Sequence, residues 1–410
     1  MKINLNAFTL SALFLALPLT VNAAQDELVE QGKYLAKLGD CTACHTIDEG
    51  QANGGGLPFT TPFGIVYSTN ISSDEEFGIG HYSLEDFTDA MRGGVAPKGN
   101  LYPAMPYTSY HLLMDQDIEA LYRYFLSTKP VKQKNRDNDL MFPTNIRFGL
   151  KAWNLVNHDS KVFEADADKS EKWNRGSYIV NGLGHCGECH TPRDVMFAMD
   201  QSRHFEGELI GGAEASDITP KELNRQGWTK QDLDDVLRKG YSRKGTVFAG
   251  MYPVVFHSFS HLTEDDMSAV TSYLLDNDAE VTAKSDTFNG HDKSDPGYKL
   301  YSGYCAGCHG INGEGKPNVS PALIANATID KVVPINTLSV MLNGVEEQRY
   351  SHTHGFYAMP SYRDTLNVKQ LTELTNYIRK VWTKQSSDLT ESQVQGWVDK
   401  IEDSIADAAH

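Results

Sequence analysis

The chain has 410 residues, with 54 acidic against 37 basic side chains and a formal charge of −17. So acidic a surface makes nucleic acid and anionic lipid headgroups poor partners. The length suits two to four domains of roughly 100–200 residues each, and no segment beyond the first two dozen residues is apolar for the ~20 positions that a bilayer crossing needs.

Residues 1–23 read as an export signal. Lys2 is the basic start, "FTLSALFLALPLTV" the apolar centre, and Val21-Asn22-Ala23 a small-residue cleavage site. Pro18 and the short apolar run argue against a membrane anchor. Cleavage leaves 387 residues (410 − 23) and, with Lys2 gone, moves the charge from −17 to −18. The mature chain then works outside the cytoplasm, where six cysteines would ordinarily form three disulfides.

A first unit spans 26–130. It opens with "QGKYLAKLG", in which Gly32 precedes Tyr34, and continues into "GDCTACHTID", which holds Cys41, Cys44 and His45. "TNISSDEEFGIG" turns the chain back toward that motif, with Asn70 as a candidate donor there. "SLEDFTDAMRGG" predicts a helix: Ser83 and Asp86 form a capping box, Phe87, Ala90 and Met91 a buried stripe, and Arg92 the basic last turn before Gly94. Met105 follows in "YPAMPY", a loop that proline keeps out of helix. Ile118, Leu121, Tyr122 and Phe125 have the spacing of a closing helix. The segment 131–169 is a linker, and Phe142, Ile146, Phe148, Leu150, Trp153 and Leu155 predict that it packs across the domain faces.

A second unit, 170–280, repeats the first at an offset of 145 residues (190 − 45). "NRGSYIVNGLG" leads into "GHCGECHTPR", with Cys186, Cys189 and His190. "TKQDLDDVLRKG" repeats the capped helix through Thr229, Asp232, Arg238 and Gly240, Met251 lies in "AGMYPV", and Met267, Val270 and Leu274 mark the closing helix. A third unit, 292–385, opens with "PGYKLYSGY" and carries Cys305, Cys308 and His309, then Met359 in "YAMPSY" and a closing helix through Leu371, Leu374 and Ile378. Small Gly32, Gly176 and Gly297 would let each closing helix cross its opening helix closely, flanked by Tyr124, Tyr273 and Tyr377. The acidic tail, 386–410, gathers Val394, Trp397, Val398, Ile401 and Ile405 on one helical face. Its polar face is acidic where a membrane-surface helix prefers Lys and Arg, so docking on protein is expected.

All six cysteines fall in Cys-x-x-Cys-His motifs, which neither a scattered disulfide framework, a thioredoxin-like pair nor a zinc ribbon requires. The pattern is that of covalent haem c attachment: two thiols join the macrocycle, and the adjoining imidazole (His45, His190, His309) ligates iron. Met105, Met251 and Met359 lie 60, 61 and 50 residues after those histidines and are the candidate sixth ligands. His111, His261 and His352 or His354 are rivals, more suited to the surface or to propionate contacts. His/Met ligation leaves no open iron position, so one-electron transfer is expected. No nucleophile elbow, phosphate loop or dinucleotide fingerprint occurs, and no catalytic residue is assigned. The fold class expected is mainly α, as three tandem class I cytochrome c-like domains.

With "STNISSDEEFGIGHYSLEDFTDAMRGGV", "LYPAMPYTSYHLL", "CGECHTPR", "GWTKQDLDDVLRKG" and "GMYPVVFHS", the chain resembles the tri-haem cytochrome c subunits of membrane-associated bacterial alcohol and sugar dehydrogenases, including gluconate dehydrogenase. The resemblance implies three haem c groups and a separate catalytic subunit carrying PQQ or FAD. It also implies peripheral attachment at the periplasmic face of the inner membrane and electron delivery to ubiquinone or a downstream cytochrome or oxidase. A free periplasmic shuttle and a haem enzyme in its own right are the alternatives.

Overall fold

A computed structural model describes residues 17–48, 51–280, 282–283 and 286–409. The first sixteen residues of the expected export signal lie outside that range. The rest of it continues as backbone into helix α1 (Leu17–Leu38).

The first unit is built from α1, the capped helix α2 (Leu84–Gly93) and the closing helix α3 (Asp115–Ser127). A hairpin of β1 (Pro58–Thr61) and β2 (Gly64–Tyr67) flanks them. The linker then contributes β3 (Asp139–Leu140), which pairs with β2, and helix α4 (Gly149–Asn157). The second unit follows the same plan with α5 (Glu171–Asn181), α6 (Lys230–Lys239) and α7 (Glu264–Leu274). A second hairpin there joins β4 (Glu208–Ile210) to β5 (Ala213–Ala215). The third unit has α8 (Pro296–Leu300), α9 (Ile335–Asn343) and α10 (Val368–Trp382), followed by α11 (Glu391–Ala409).

The predicted local signals have their expected form. Both halves of the capping box are made at Ser83/Asp86 and at Thr229/Asp232, and Gly94 and Gly240 end the two helices in the left-handed region. The crossings behave as the sequence predicts. A Cβ on Gly32 would lie 1.9 Å from the Ala120 carbonyl oxygen, one on Gly176 2.1 Å from that of Ala269, and one on Gly297 2.4 Å from that of Glu373. In every case the flanking tyrosine, Tyr124, Tyr273 or Tyr377, is the other close neighbour. Only hydrogen fits at these contacts, so the three glycines set how closely the helix pairs approach.

The first two units face one another across one continuous apolar core that includes Leu35, Leu121, Ile179, Leu183 and Val270. Two reciprocal bridges span the junction. Tyr34 donates to Asp266 and Tyr178 donates to Asp117, both at 2.6 Å. Each tyrosine oxygen also accepts a backbone N–H of the facing unit, from Thr263 and Met114 respectively. The internal repeat thus becomes a local two-fold relation, with each unit using the same residues to hold the other.

The third unit has its own core around Tyr301, Leu338, Leu374, Tyr377 and Trp382. The tail helix α11 belongs to that core, because Val394, Val398 and Ile401 are buried in it. Its far end reaches the second unit, where Gly212 N–H donates to Ser404 Oγ at 3.2 Å. The expected docking on protein is thus intramolecular. Third and second units also meet through Lys331 and Glu214, whose ammonium and carboxylate are 3.2 Å apart and largely buried.

The linker is fastened by polar groups: Tyr107 Oη–H donates to Asn154 at 2.8 Å, and Arg147 donates to the Asn100 carbonyl at 2.9 Å. Leu150 and Trp153 are half-buried. Phe142, Ile146, Phe148 and Leu155, expected against the domain faces, are instead exposed.

Candidate haem sites

Each Cys-x-x-Cys-His motif forms one short helical turn after the opening helix of its unit. The thiols of Cys41, Cys44, Cys186, Cys189, Cys305 and Cys308 are unpaired. Among the described residues, no three His, Cys, Asp or Glu side chains converge as a metal cage would require. Burial pushes the Cys41, Cys186 and Cys305 thiols up to about 12, so they are neutral and unlike the activated thiolates of redox enzymes.

The histidines share one geometry. Nδ1 of His45 meets the Thr69 carbonyl at 2.6 Å, that of His190 meets the Ser216 carbonyl at 2.6 Å, and that of His309 meets the Pro321 carbonyl at 3.0 Å. A carbonyl can only accept, so Nδ1 carries the proton and the Nε2 lone pair is left to bind. Burial, opposed by the same carbonyl contact, holds all three imidazoles below the ordinary histidine range. A neutral imidazole fixed through Nδ1 is the form an axial iron ligand takes.

Sites one and two adjoin. Cys44 is close enough to Cys189 to feel it: burial, then Asp40, then Cys189 disfavour ionisation of the Cys44 thiol. Glu188, inside the second motif, accepts from Thr108 at 2.6 Å and from Ser109 at 3.0 Å, both just beyond Met105, and pairs with Arg193 at 2.8 Å. The second motif is thereby tied to the methionine loop of the first unit.

The third site is a cleft open to solvent, with about 1200 Å³ of empty space when the solvent at its mouth is included. Cys305, Cys308, His309 and Met359 all line it, with apolar Leu323, Val340 and Ile378. Met359 is pinned by two backbone hydrogen bonds to Val345. Met105 lies in a bend and Met251 starts a short helix, Met251–His257, where a loop was expected. Pro253 is tolerated because it sits in the first turn. Met105 and Met251 pack, half-buried, against the core that Cys41 and Cys186 also touch.

The rival histidines are engaged elsewhere. His111 bonds the Lys161 carbonyl at 2.6 Å, and His354 stacks on Tyr241 at 4.2 Å between ring centroids. His261 and His352 are exposed. Asn70 also departs from expectation: it is buried, donating to the carbonyls of Val131 and Gln133 and accepting from Ser72, so it braces the linker. Sequence reasoning missed the Thr69, Ser216 and Pro321 carbonyls and Glu188. The matching "TNI" and "SDI" stretches, 147 residues apart (216 − 69), were the available sign of the first two.

A mainly helical chain that repeats this turn, with an oriented imidazole each time, is a multidomain c-type cytochrome. Residues 29–129 match the cytochrome c family and residues 292–378 match cytochrome c oxidase, cbb3-type, subunit III. The chain is 37% identical over 382 residues to the gluconate 2-dehydrogenase cytochrome c subunit of Pantoea cypripedii, covering 88% of this chain and 86% of that one. It is 34% identical over 403 residues to the cytochrome c subunit of alcohol dehydrogenase (quinone) from Gluconacetobacter polyoxogenes, covering 91% and 86%. One subunit of the nicotinate dehydrogenase of Pseudomonas putida is 36% identical over 360 residues, but the chain spans only 30% of its length. The protein belongs to the family of cytochrome c subunits of dehydrogenases.

Proposed function

We propose that this chain is the electron-carrying subunit of an exported dehydrogenase complex that oxidises an alcohol, sugar or sugar acid. Its partner would be a catalytic subunit with PQQ or FAD, and its acceptor ubiquinone or a downstream cytochrome or oxidase. Family membership with gluconate and alcohol dehydrogenase subunits over most of both chains supports the partner class. The observation that carries the role is the threefold histidine geometry, with Nδ1 bonded to a carbonyl and Nε2 left available.

Three haem c groups would be held by Cys41/Cys44, Cys186/Cys189 and Cys305/Cys308, with His45, His190 and His309 on one side of iron and Met105, Met251 and Met359 on the other. Bound there, each supplies a one-electron couple that methionine ligation raises relative to histidine. The protein's part is to orient. Backbone carbonyls fix the imidazole rings, the glycine crossings fix the helices from which the motifs emerge, and the third cleft offers a largely apolar lining to the macrocycle. Among the described residues, no helix is long and apolar enough to cross a membrane, so residence at the periplasmic face of the inner membrane would be peripheral.

Isolation of the complex tests this. Adding gluconate or a primary alcohol is expected to reduce the haems of the co-isolated subunit. Recovery of the chain from native membranes with no dehydrogenase attached would contradict the proposal.

A further inference from the structure

The exposed apolar residues of the linker form a surface of unusual composition. Phe142 is 80% exposed, Phe148 75% and Leu155 87%, with Met141, Ile146 and Val156 exposed beside them. A second loop joins the same face: Trp153 Nε1–H donates to the Met196 carbonyl at 2.9 Å, and Phe197, itself exposed, packs edge-on against Phe63. Monomeric soluble proteins rarely leave so many large apolar side chains together on a surface. From 132 to 159, in a chain with 54 acidic residues, Lys132, Lys134, Arg136, Arg147 and Lys151 outnumber Asp137, Asp139 and Asp159, and 140–158 contain no Asp or Glu.

We propose that this face, centred on Phe142, Phe148 and Leu155, seats the protein on an anionic lipid surface. Large apolar tips with an excess of Lys and Arg over Asp around them are what an interfacial anchor needs: the rings enter the acyl boundary while the cations meet headgroup phosphates. The net negative charge of the whole chain does not oppose this, because solvated charges more than about 8–10 Å apart are largely screened at physiological salt. The patch is also held rigidly. Tyr102 donates to the Thr144 carbonyl at 3.1 Å, Asn154 accepts from Tyr107, and β3 is hydrogen-bonded into the hairpin of the first unit. Tyr102 and Tyr107 flank Met105, so seating this face on a bilayer sets the first site beside the membrane. The inference deepens the peripheral attachment proposed above and rests on it.

The test is flotation of the full haem-loaded chain with vesicles of equal parts phosphatidylethanolamine and phosphatidylglycerol. Wild type is expected to float with them, less so as salt rises. A variant combining Phe142→Ser, Phe148→Ser and Leu155→Ser is expected to partition at least about tenfold more weakly, since one buried large apolar side chain already contributes about that factor. Lys151→Glu is expected to weaken binding to these vesicles but not to phosphatidylcholine ones. An unchanged haem spectrum in each variant establishes that the fold is intact. Equal flotation of wild type and the triple variant would overturn the assignment. So would absence of wild-type flotation, or loss of dehydrogenase binding by the triple variant with its lipid binding retained. Haem reduction by the co-isolated dehydrogenase without vesicles reads the electron-transfer role separately, so the two proposals fail by different signs.

Discussion

The same small arrangement recurs behind every motif histidine: a backbone carbonyl from a loop later in its own unit, accepting from Nδ1. It explains why the motif residue alone is not enough, because an imidazole free to rotate would not keep Nε2 aimed at one point. The carbonyl cannot be removed by a side-chain substitution, but the methionine proposed to oppose the imidazole can. In the third site Met359 lines the same cleft as His309. Met359→Ala is expected to lower the potential of that site alone and to let cyanide or carbon monoxide bind at one iron per chain. Redox titration and ligand-binding spectra check this; unchanged potentials with no ligand uptake would remove Met359 from the iron.

At the scale of elements, the parts legible in the sequence are those whose signal resides in side chains. Gly32, Gly176 and Gly297, each followed closely by Tyr, announced the helix crossings, and each stands against a backbone carbonyl of its closing helix. The Ser83/Asp86 and Thr229/Asp232 pairs announced two caps that are both formed. What was not legible lies in backbone atoms or in long-range placement. Any residue supplies a carbonyl, so Thr69, Ser216 and Pro321 bear no mark of their role, and Asn70 looked like a site donor because its engagement with Val131 and Gln133 comes from 61 and 63 residues away. The crossing gives a direct prediction. Gly176→Ala must push α5 away from α7, and overpacking of this kind costs about 1–3 kcal/mol. Denaturant unfolding followed at the haem bands checks it, and stability equal to wild type would contradict the close contact.

Across the whole molecule, the three units are joined in two different ways. The first and second share an apolar core and exchange Tyr–Asp bridges, which brings Cys44 close to Cys189. The second and third meet through a separate, smaller apolar cluster of Val247, Val255 and Tyr350 and through the buried Lys331–Glu214 pair. Burial, only partly offset by Lys331, raises the Glu214 carboxyl above its usual range. Breaking a buried pair leaves one charge without compensation, so Lys331→Met is expected to cost about 3 kcal/mol. The loss should appear in the third unit's docking, with the bridges between units one and two intact. Limited proteolysis between residues 277 and 292 reads it, and protection equal to wild type would contradict it.

On the proposal that Met105, Met251 and Met359 oppose the motif histidines, the chain would hold three distinct one-electron centres, each closed on both sides of iron. The measurement that tests this most directly is a potentiometric titration of the exported, haem-loaded chain followed by its visible spectrum. Three one-electron steps, low-spin in every oxidation state, are expected. Fewer than three steps, or a high-spin ferric signal from any centre at neutral pH, would contradict the account.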